Sequence, residues 1–291
     1  MVKISKTILK KFYKPRKKGE YFRKYDFGFS LIVGGSGFYS GAPALSAMAA
    51  LKSGVDRVRI IAPKRAADII ASFSPEMTTS SLDGRWFEKK HLGVLLTIVE
   101  SAKAVSRGNT SVVIGGGLGR SQQTQEAILE AMSKISVPMV IDADAIHALS
   151  KNPSVIRGKQ CIVTPQSSEF FLLTGRKIYG LSHKEKIKIV KEESKRLGTV
   201  ILLKDKPDII SDGESVALNV SGSPYMSVGG TGDVLAGICG ALLARSQSFS
   251  PFLVAQAAVY ISGEAGGFAA KELKESLTPM DVIRAIPKVL H

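Results

Sequence analysis

Short apolar runs separated by segments of helical periodicity are the feature that most constrains the fold of this chain. Most of the runs are rich in β-branched residues, which is typical of buried strands. Because parallel strands are joined by helical crossovers, the alternation predicts a mainly parallel central sheet with helices on both faces, a three-layer α/β/α sandwich. The predicted strands are Phe29–Val33, Val58–Ala62, Ser111–Ile114, Pro138–Asp142, Cys161–Thr164 and Val200–Lys204, and the predicted helices include Ala42–Lys52, Lys64–Ala71, Gln122–Ile135 and Glu185–Leu197.

The later part of the chain carries two further signals. Ile209–Ser211 and Val216–Asn219 are separated by Asp-Gly-Glu-Ser, which predicts a hairpin. Thr278-Pro279-Met280-Asp281 has a capping residue followed by proline and predicts the start of the last helix.

The net charge of +15 is concentrated at the start of the chain. Residues 1–24 hold ten Lys or Arg and one acidic residue, Glu20. This composition predicts a basic N-terminal arm over residues 1–25 and one enzyme domain over residues 26–291. The arm is interpreted as a solvated extension or a subunit contact, with nucleic acid as the alternative partner.

Several classes of protein do not fit the composition. Cys161 and Cys239 lie inside apolar runs and are interpreted as core residues, and the chain contains no CxxC or HExxH motif. No protein-ligated metal is therefore expected. No apolar stretch reaches the roughly 18–20 residues that span a bilayer, and the basic N-terminus lacks the apolar part of a signal peptide. A cytoplasmic protein that binds no membrane is expected.

The most informative segment is Gly229-Gly230-Thr231-Gly232-Asp233, which is followed at once by an apolar helix. Glycines allow successive backbone N–H groups to converge on an anion, and the start of a helix adds the positive end of its dipole. Asp233 could then accept a proton from a hydroxyl that attacks phosphorus. The alternative is a structural loop whose Asp only complements the dipole.

Three more glycine-rich or acidic loops follow predicted strands, where ligands bind in a doubly wound sheet. Gly115–Gly119 fits neither a Rossmann nor a Walker fingerprint, so it is either a flat surface for a ligand or a tight turn. Asp142 and Asp144 could orient water around magnesium, although a helix cap explains Asp144 equally well. The loop Gly34–Ala42 could lie under a planar substrate.

A further loop begins at Thr164-Pro165, where a strand ends and a new helix starts. Gln166 is expected to face the cleft. Glu169 is expected in the first helical turn, where it could act on hydrated magnesium, and helix capping by Ser167 or Ser168 is the alternative for this stretch.

Taken together, these loops resemble the ADP- or ATP-dependent NAD(P)H-hydrate dehydratases of the ribokinase-like superfamily. The resemblance runs from about Phe27 to Leu290. Its most specific parts are Asn219-Val220-Ser221-Gly222 and the segment from Gly229 to Gly237. It implies a ribokinase-like fold and a repair reaction, in which a nucleotide phosphorylates the ring hydroxyl of hydrated NADH or NADPH (the S epimer) and phosphate then leaves.

The resemblance also implies roles for individual residues. Asp233 is expected to be the catalytic base and to contact the hydrated nicotinamide, and Ala42, Gly117 and Gln166 are expected to line the substrate. Nucleotide-binding residues are expected at Lys204, Asp205, Lys206, Pro207, Asp208, Gly230, Thr231 and Gly232. Magnesium is expected to be held through water by Asp142 and Glu169, and a monovalent cation and a homo-oligomer are further expectations.

Two positions depart from the family pattern. Gln166 stands where the family usually has His. Asp205 stands at the glycine of the usual Lys-Gly-x-x-Thr segment, where an unusual backbone geometry such as a positive φ could be required, although Asp tolerates a positive φ better than most residues. The choice between ADP and ATP is left open by this second departure.

Two other functions compete with this interpretation. A small-molecule kinase of the same fold, acting on a vitamin precursor or a sugar, would share the glycine-rich segment before Asp233. A non-enzymatic nucleotide or nucleic-acid binding protein would use the basic arm instead and would show a strong dependence on salt.

Overall fold

The computed structural model describes residues 2–245 and 247–290. One ten-stranded sheet runs through the molecule in the order β1-β10-β9-β8-β7-β6-β5-β2-β3-β4. Among the strands of the described residues, β9 alone runs antiparallel to its neighbours, β8 and β10, and the other paired strands are parallel. The strands are β1 Val2–Lys3, β2 Phe29–Val33, β3 Arg57–Pro63, β4 Thr78–Leu82, β5 Thr110–Ile114, β6 Met139–Ile141, β7 Cys161–Val163, β8 Val200–Leu203, β9 Asp208–Ser211 and β10 Val216–Asn219.

Helices cover both faces of this sheet, as the strand–helix alternation predicts. They are α1 Leu9–Phe12, α2 Gly41–Lys52, α3 Lys64–Ala71, α4 Leu92–Val105, α5 Gln122–Lys134, α6 Asp144–Leu149, α7 Ser167–Thr174, α8 His183–Leu197, α9 Thr231–Arg245, α10 Pro251–Leu273 and α11 Pro279–Leu290. Short 3-10 turns at Lys6–Ile8, Lys89–His91, Pro153–Ile156, Pro224–Met226 and Lys274–Ser276 complete the regular structure.

Two apolar cores, one on each face, hold the three layers together. Alternate strand residues point to opposite faces, so Ile32 belongs to the core under α2, α9, α10 and α11, whereas Leu31 and Val33 belong to the core under α4 to α8. The α/β/α sandwich expected from the sequence is confirmed. The hairpin of β9 and β10 and the final helix from Pro279 are also found where their sequence signals place them.

Strand β4 has no counterpart among the predicted strands. Its sequence is Thr-Thr-Ser-Ser-Leu, and Leu82 is its only buried residue. A strand at the border of the sheet, with one strand neighbour, needs little apolar character, so the apolar-run criterion does not find it.

The start of the chain differs from the expected solvated arm. Strand β1 pairs with β10, and Ile4, Ile8, Leu9 and Phe12 are buried in the core with α2 and α9. The helical turns of residues 6–12 place these apolar side chains inward and the lysines outward. The composition of residues 1–25 gives no sign of this packing, because the basic residues outnumber the apolar ones that anchor the segment.

Candidate active site

Helix α9 presents its N-terminus at the edge where the parallel strands end. It begins at Thr231, three residues earlier than the apolar pattern alone indicates, so Thr231, Gly232 and Asp233 form its first turn. The Thr231 hydroxyl donates to the carbonyl oxygens of Met226 and Val228, both at 3.0 Å, and so braces the loop that leads into the helix. The first N–H groups of a helix have no partner within it, so this turn can bind an anion.

The carboxylate of Asp233 lies against the glycine loop after β5. A Cβ atom at Gly116 would stand 2.9 Å from Asp233 Oδ1 and 3.0 Å from the Cβ of Ala42, so only glycine permits this approach. The backbone of Asp233 is fixed separately, because the Ser46 hydroxyl donates to its carbonyl oxygen at 2.9 Å. The expected neighbours Ala42, Gly117 and Asp233 are thus brought together around Gly116.

Burial raises the pKa of Asp233 to about 7, and the nearby Asp142 carboxylate adds to this rise. The ammonium of Lys204 acts in the opposite direction. A carboxylate with this pKa is half ionised near neutral pH, which suits a general base.

Lys204 lies beside the same helix start, at the end of β8. Its Nζ is 2.9 Å from Asp142 Oδ1, and it would stand 3.3 Å from a Cβ placed on Gly232. The Thr164 hydroxyl donates to the same Asp142 oxygen at 2.7 Å. Burial acts to lower the pKa of Lys204, but the carboxylates of Asp142, Glu169 and Asp233 outweigh it and raise that pKa. The lysine is therefore a permanent cation at this point.

The remaining predicted acids have distinct surroundings. Glu169 Oε2 accepts a hydrogen bond from the N–H of Gln166, the N-cap residue of α7, at 2.8 Å and so completes a capping box, and burial raises the pKa of Glu169. The predicted alternative, capping by Ser167 or Ser168, is wrong, because the helix cap is Gln166.

Asp144 is not a helix cap either. It is the first residue of α6, and its carboxylate accepts from the N–H of Gly119 and from Nε of Arg120, both at 2.8 Å. Asp144 thereby ties the glycine loop after β5 to the strand end that carries Asp142.

A cleft of about 820 Å³ opens on the Lys204 side of the helix start. It contains the predicted nucleotide-binding residues Lys204 to Asp208, Thr231 and Gly232. Gly230 is the exception, since its Cα faces Leu45 and Pro279 of helices α2 and α11. The other lining residues are Gln166–Ser168, Asn219–Pro224, Met226–Gly229, Leu235, Val259, Ser262 and Gly263.

The Lys204–Asp208 segment turns sharply between β8 and β9. Asp205 takes no positive φ, which the family glycine at this position led us to expect, and its carboxylate accepts from Lys186 Nζ at 2.7 Å. The peptide between Lys206 and Pro207 is cis. Asp208 accepts from Asn219 Nδ2 at 2.9 Å, and burial raises its pKa to about 6. The aspartate thus fits the turn and is paired with a lysine of α8.

Gln166 is exposed and borders the cleft together with Lys204. The sequence resemblance implies a substrate contact for Gln166, but Ala42 and Gly117 lie on the opposite side of Asp233, beside Gly116. The predicted substrate residues therefore divide between the two sides of the helix start.

Across residues 2–245 and 247–290, no three His, Cys, Asp or Glu side chains are grouped so that they could hold a metal ion. Within the same residues, none of the helices has both the length and the apolar character needed to traverse a lipid bilayer.

Comparisons with known proteins give consistent matches. The family model described as NAD(P)H-hydrate dehydratase matches residues 30–288. A bifunctional NAD(P)H-hydrate repair enzyme from Pyrobaculum aerophilum is 40% identical over 92% of this chain and 52% of its own length. An ADP-dependent (S)-NAD(P)H-hydrate dehydratase from Nitrosopumilus maritimus is 35% identical over 99% of this chain and 96% of its own length. The chain thus spans about half of the first relative and nearly all of the second.

Solved structures support the same fold. A ribokinase-like superfamily protein from Enterococcus faecalis has a TM-score of 0.83 and 26% identity, over 100% of this chain and 95% of its own. An ADP/ATP-dependent NAD(P)H-hydrate dehydratase from Bacillus subtilis, co-crystallised with ATP and Mg²⁺, has a TM-score of 0.79 and 24% identity, over 98% of this chain and 96% of its own. The predicted ribokinase-like fold is confirmed.

Proposed function

This chain belongs to the NAD(P)H-hydrate dehydratase family, and on that basis we propose that it uses ADP or ATP to dehydrate the S epimer of hydrated NADH and NADPH. The observation that carries the proposal is the position of Asp233. Its carboxylate, with a pKa of about 7, stands at the start of α9 between the glycine loop on one side and the cleft with Lys204 on the other.

The first step is a phosphoryl transfer. The ring hydroxyl of the hydrated nicotinamide attacks the terminal phosphorus of the donor and loses its proton to Asp233, while the P–O bond to the remaining nucleotide breaks. The backbone N–H groups of the first α9 turn and the Lys204 ammonium lie where they would stabilise the negative charge of the phosphoryl group in transit. Holding the two reactants in line removes much of the entropic barrier.

The second step is an elimination. The lone pair of the ring nitrogen expels the phosphate, a proton leaves the neighbouring ring carbon, and the double bond of NADH or NADPH is restored. Phosphate is a much better leaving group than hydroxide, which explains why a dehydration would consume a nucleotide. The same anion-binding helix start that assists the transfer would then hold the departing phosphate.

The donor nucleotide is assigned to the cleft of about 820 Å³. Lys204 reaches the helix start from this cleft and would contact the phosphates, and the segment Lys204–Asp208 would border the rest of the nucleotide. The loop Asn219–Pro224 and helix α10, through Val259 and Gly263, form the opposite wall. Either donor, ADP or ATP, is proposed for this cleft.

Magnesium would enter with the donor phosphates and neutralise part of their charge. One Asp142 oxygen is engaged by Lys204 and Thr164, and one Glu169 oxygen by the Gln166 N–H. Each carboxylate thus keeps a second oxygen for a magnesium-bound water, in agreement with the weak direct affinity of Mg²⁺ for protein ligands. A monovalent cation, a homo-oligomer and a cytoplasmic location stay predictions.

The deciding assay incubates the purified protein with hydrated NADH and either ADP or ATP. Recovery of the reduced-nicotinamide absorbance, together with release of AMP or ADP and phosphate, is the expected result. A stable phosphorylated product without recovery of absorbance would instead identify a kinase. Nucleotide-independent recovery, or none with either donor, would contradict the proposal.

A further inference from the structure

Three side chains form a cluster beside the glycine loop after β5, in which two side chains are exposed and the third, an indole, is half-buried. Phe38 is 63% exposed, and its ring centroid lies 5.4 Å from that of Trp86. The guanidinium of Arg85 stands 5.1 Å from the Phe38 ring centre. We call Phe38, Arg85 and Trp86 the aromatic–arginine cluster.

Close contacts join the aromatic–arginine cluster to the two glycine-rich loops that lie beside Asp233. The Gly37 N–H donates to the Arg85 carbonyl oxygen at 2.6 Å, which ties the first glycine loop to the Arg85–Trp86 loop. A Cβ on Gly119 would stand 2.9 Å from the Trp86 ring. Gly116 of the same loop touches Asp233, so the segment Gly116–Gly119 connects the Asp233 carboxylate with the Trp86 indole. We call this segment the Gly116–Gly119 path.

The composition of the cluster suits one kind of ligand. Exposed aromatic rings stack with nucleobases, and arginine can stack on the base or bind phosphate oxygens in a bidentate manner. A second arginine, Arg120, follows Gly119 and is held in place by Asp144 at 2.8 Å. Aromatic rings and guanidinium groups at the Gly119 end of this loop are suited to bind a nucleotide.

We propose that the aromatic–arginine cluster binds the adenosine end of the hydrated dinucleotide, with its base stacked on Phe38 or Trp86 and its phosphates near Arg85. This inference rests on the proposed function, since it places the hydrated nicotinamide at Asp233. The two halves of the substrate then lie at the two ends of the Gly116–Gly119 path.

The position of the proposed donor cleft supports this placement of the dinucleotide along the Gly116–Gly119 path. Lys204 reaches the helix start on the Gly232 side, whereas Gly116 approaches Asp233 from the side of Ala42. A dinucleotide that shared the cleft with the donor would compete with it. The Gly116–Gly119 path leads away from the cleft, so both substrates can be bound during phosphoryl transfer.

The test compares a full substrate with a truncated one. Phe38→Leu and Arg85→Gln are assayed with hydrated NADH and with hydrated reduced nicotinamide mononucleotide, which lacks the adenosine end. The expected result is a KM for hydrated NADH that is raised roughly tenfold, as for the loss of one base-stacking contact. The KM for the donor, kcat, and the KM for the truncated substrate should stay unchanged. The matched control is Tyr179→Leu, at an aromatic residue that is 94% exposed, and it should behave as wild type.

A binding measurement separates this inference from the reaction itself. Trp86 is the single tryptophan of the chain, so intrinsic fluorescence reports on this cluster. NADPH should change the emission of the wild-type protein at much lower concentration than reduced nicotinamide mononucleotide does, and Phe38→Leu should remove this difference. Equal effects of both probes would overturn the proposal. Variants that impair turnover of both substrates alike and also lower the molecular mass in sedimentation would overturn it in favour of a subunit contact. Failure of turnover with intact NADPH binding would instead count against the proposed function alone.

Discussion

The Lys204 ammonium lies 2.9 Å from the Asp142 carboxylate, in a buried ion pair that joins the ends of β8 and β6 beneath the start of α9. The pair connects the two halves of the proposed active site, because Lys204 borders the proposed donor cleft and Asp142 raises the pKa of Asp233. The lysine side chain is 17% exposed and the aspartate side chain 6%. An ion pair so placed is expected to matter for stability, for donor binding and for the ionisation of the base.

Lys204→Met should weaken both the fold and the donor site. Removal of one partner of a buried pair leaves an uncompensated charge and costs about 3 kcal/mol in the free energy of unfolding. Denaturant unfolding measures this loss, and nucleotide titration measures the expected fall in donor affinity. The double variant Lys204→Met/Asp142→Asn should recover most of the stability without recovering turnover. Recovery of both would show that the lysine has no role in the reaction.

The dependence of kcat/KM on pH should report the ionisation of Asp233. A base must be deprotonated, so activity should fall as pH drops through about 7, the pKa to which burial and Asp142 raise this carboxyl. Asp142→Asn removes a like charge and releases Lys204, so the midpoint should move down by on the order of one unit. Asp68→Asn, at an exposed ion pair, is the control and should leave the midpoint in place. An upward shift in Asp142→Asn would contradict this electrostatic picture.

Asp233→Asn should lower kcat by at least ~10²-fold, the loss expected for a general base, and leave nucleotide affinity nearly intact. Stability gives an independent measurement. Because the folded pKa of Asp233 lies above its ordinary value of 3.8, wild type should lose stability as pH rises from about 4 to 7. The variant lacks this loss, so its melting temperature should exceed that of wild type more at pH 8 than at pH 4. Near-normal turnover would remove Asp233 from the mechanism.

Gly116→Ala tests the close approach of the glycine loop to Asp233. The added methyl group would stand 2.9 Å from the carboxylate oxygen and 3.0 Å from Ala42, so the carboxylate must move. A displacement near 1 Å at a reacting group lowers kcat/KM by on the order of 10²-fold. Gly93→Ala, where a Cβ on helix α4 meets open space, is the matched control. Circular dichroism should show both variants folded, and equal activity of the two would contradict the role given to Gly116.

Phe12→Ala tests the packing of the N-terminal segment. Phe12 is 6% exposed and its ring lies 4.9 Å from that of Phe249, edge to face. Truncation of such a side chain costs about 3 kcal/mol in the free energy of unfolding. Tyr21→Ala, at 83% exposure, should change the same quantity by less than about 0.5 kcal/mol. If residues 1–25 were a solvated arm throughout, the two variants would unfold alike.

The fold was largely predictable because its central strands are buried on both faces. Such strands carry continuous apolar runs, as in Phe29–Val33 and Val200–Leu203, and these runs identify the strands independently of the helix boundaries. Strand β4 was not predicted, because its two threonines and Ser80 are only partly buried and Ser81 is exposed. Strand β1 was not predicted, because two residues are too few to show the alternation of side chains that is typical of a strand.

Some residues of the proposed site carry local sequence signals, and others do not. Asp233 follows three glycines at the start of a helix, and this arrangement favours an anion-binding helix start with the carboxylate beside it. The ion pair of Lys204 with Asp142 joins residues 62 positions apart, and only the strand order brings them together. The contact of Lys186 with Asp205 is equally invisible in sequence, and it belongs to a turn where a glycine seemed necessary.

The two-residue strand β1 has a practical consequence for handling the protein. Its pairing with β10 covers backbone N–H and C=O groups that would otherwise be open to another molecule. A recombinant form shortened by a dozen residues would present β10 as a bare template for intermolecular pairing, and it is expected to aggregate. Purification tags therefore belong at the C-terminus, where they leave this cover undisturbed.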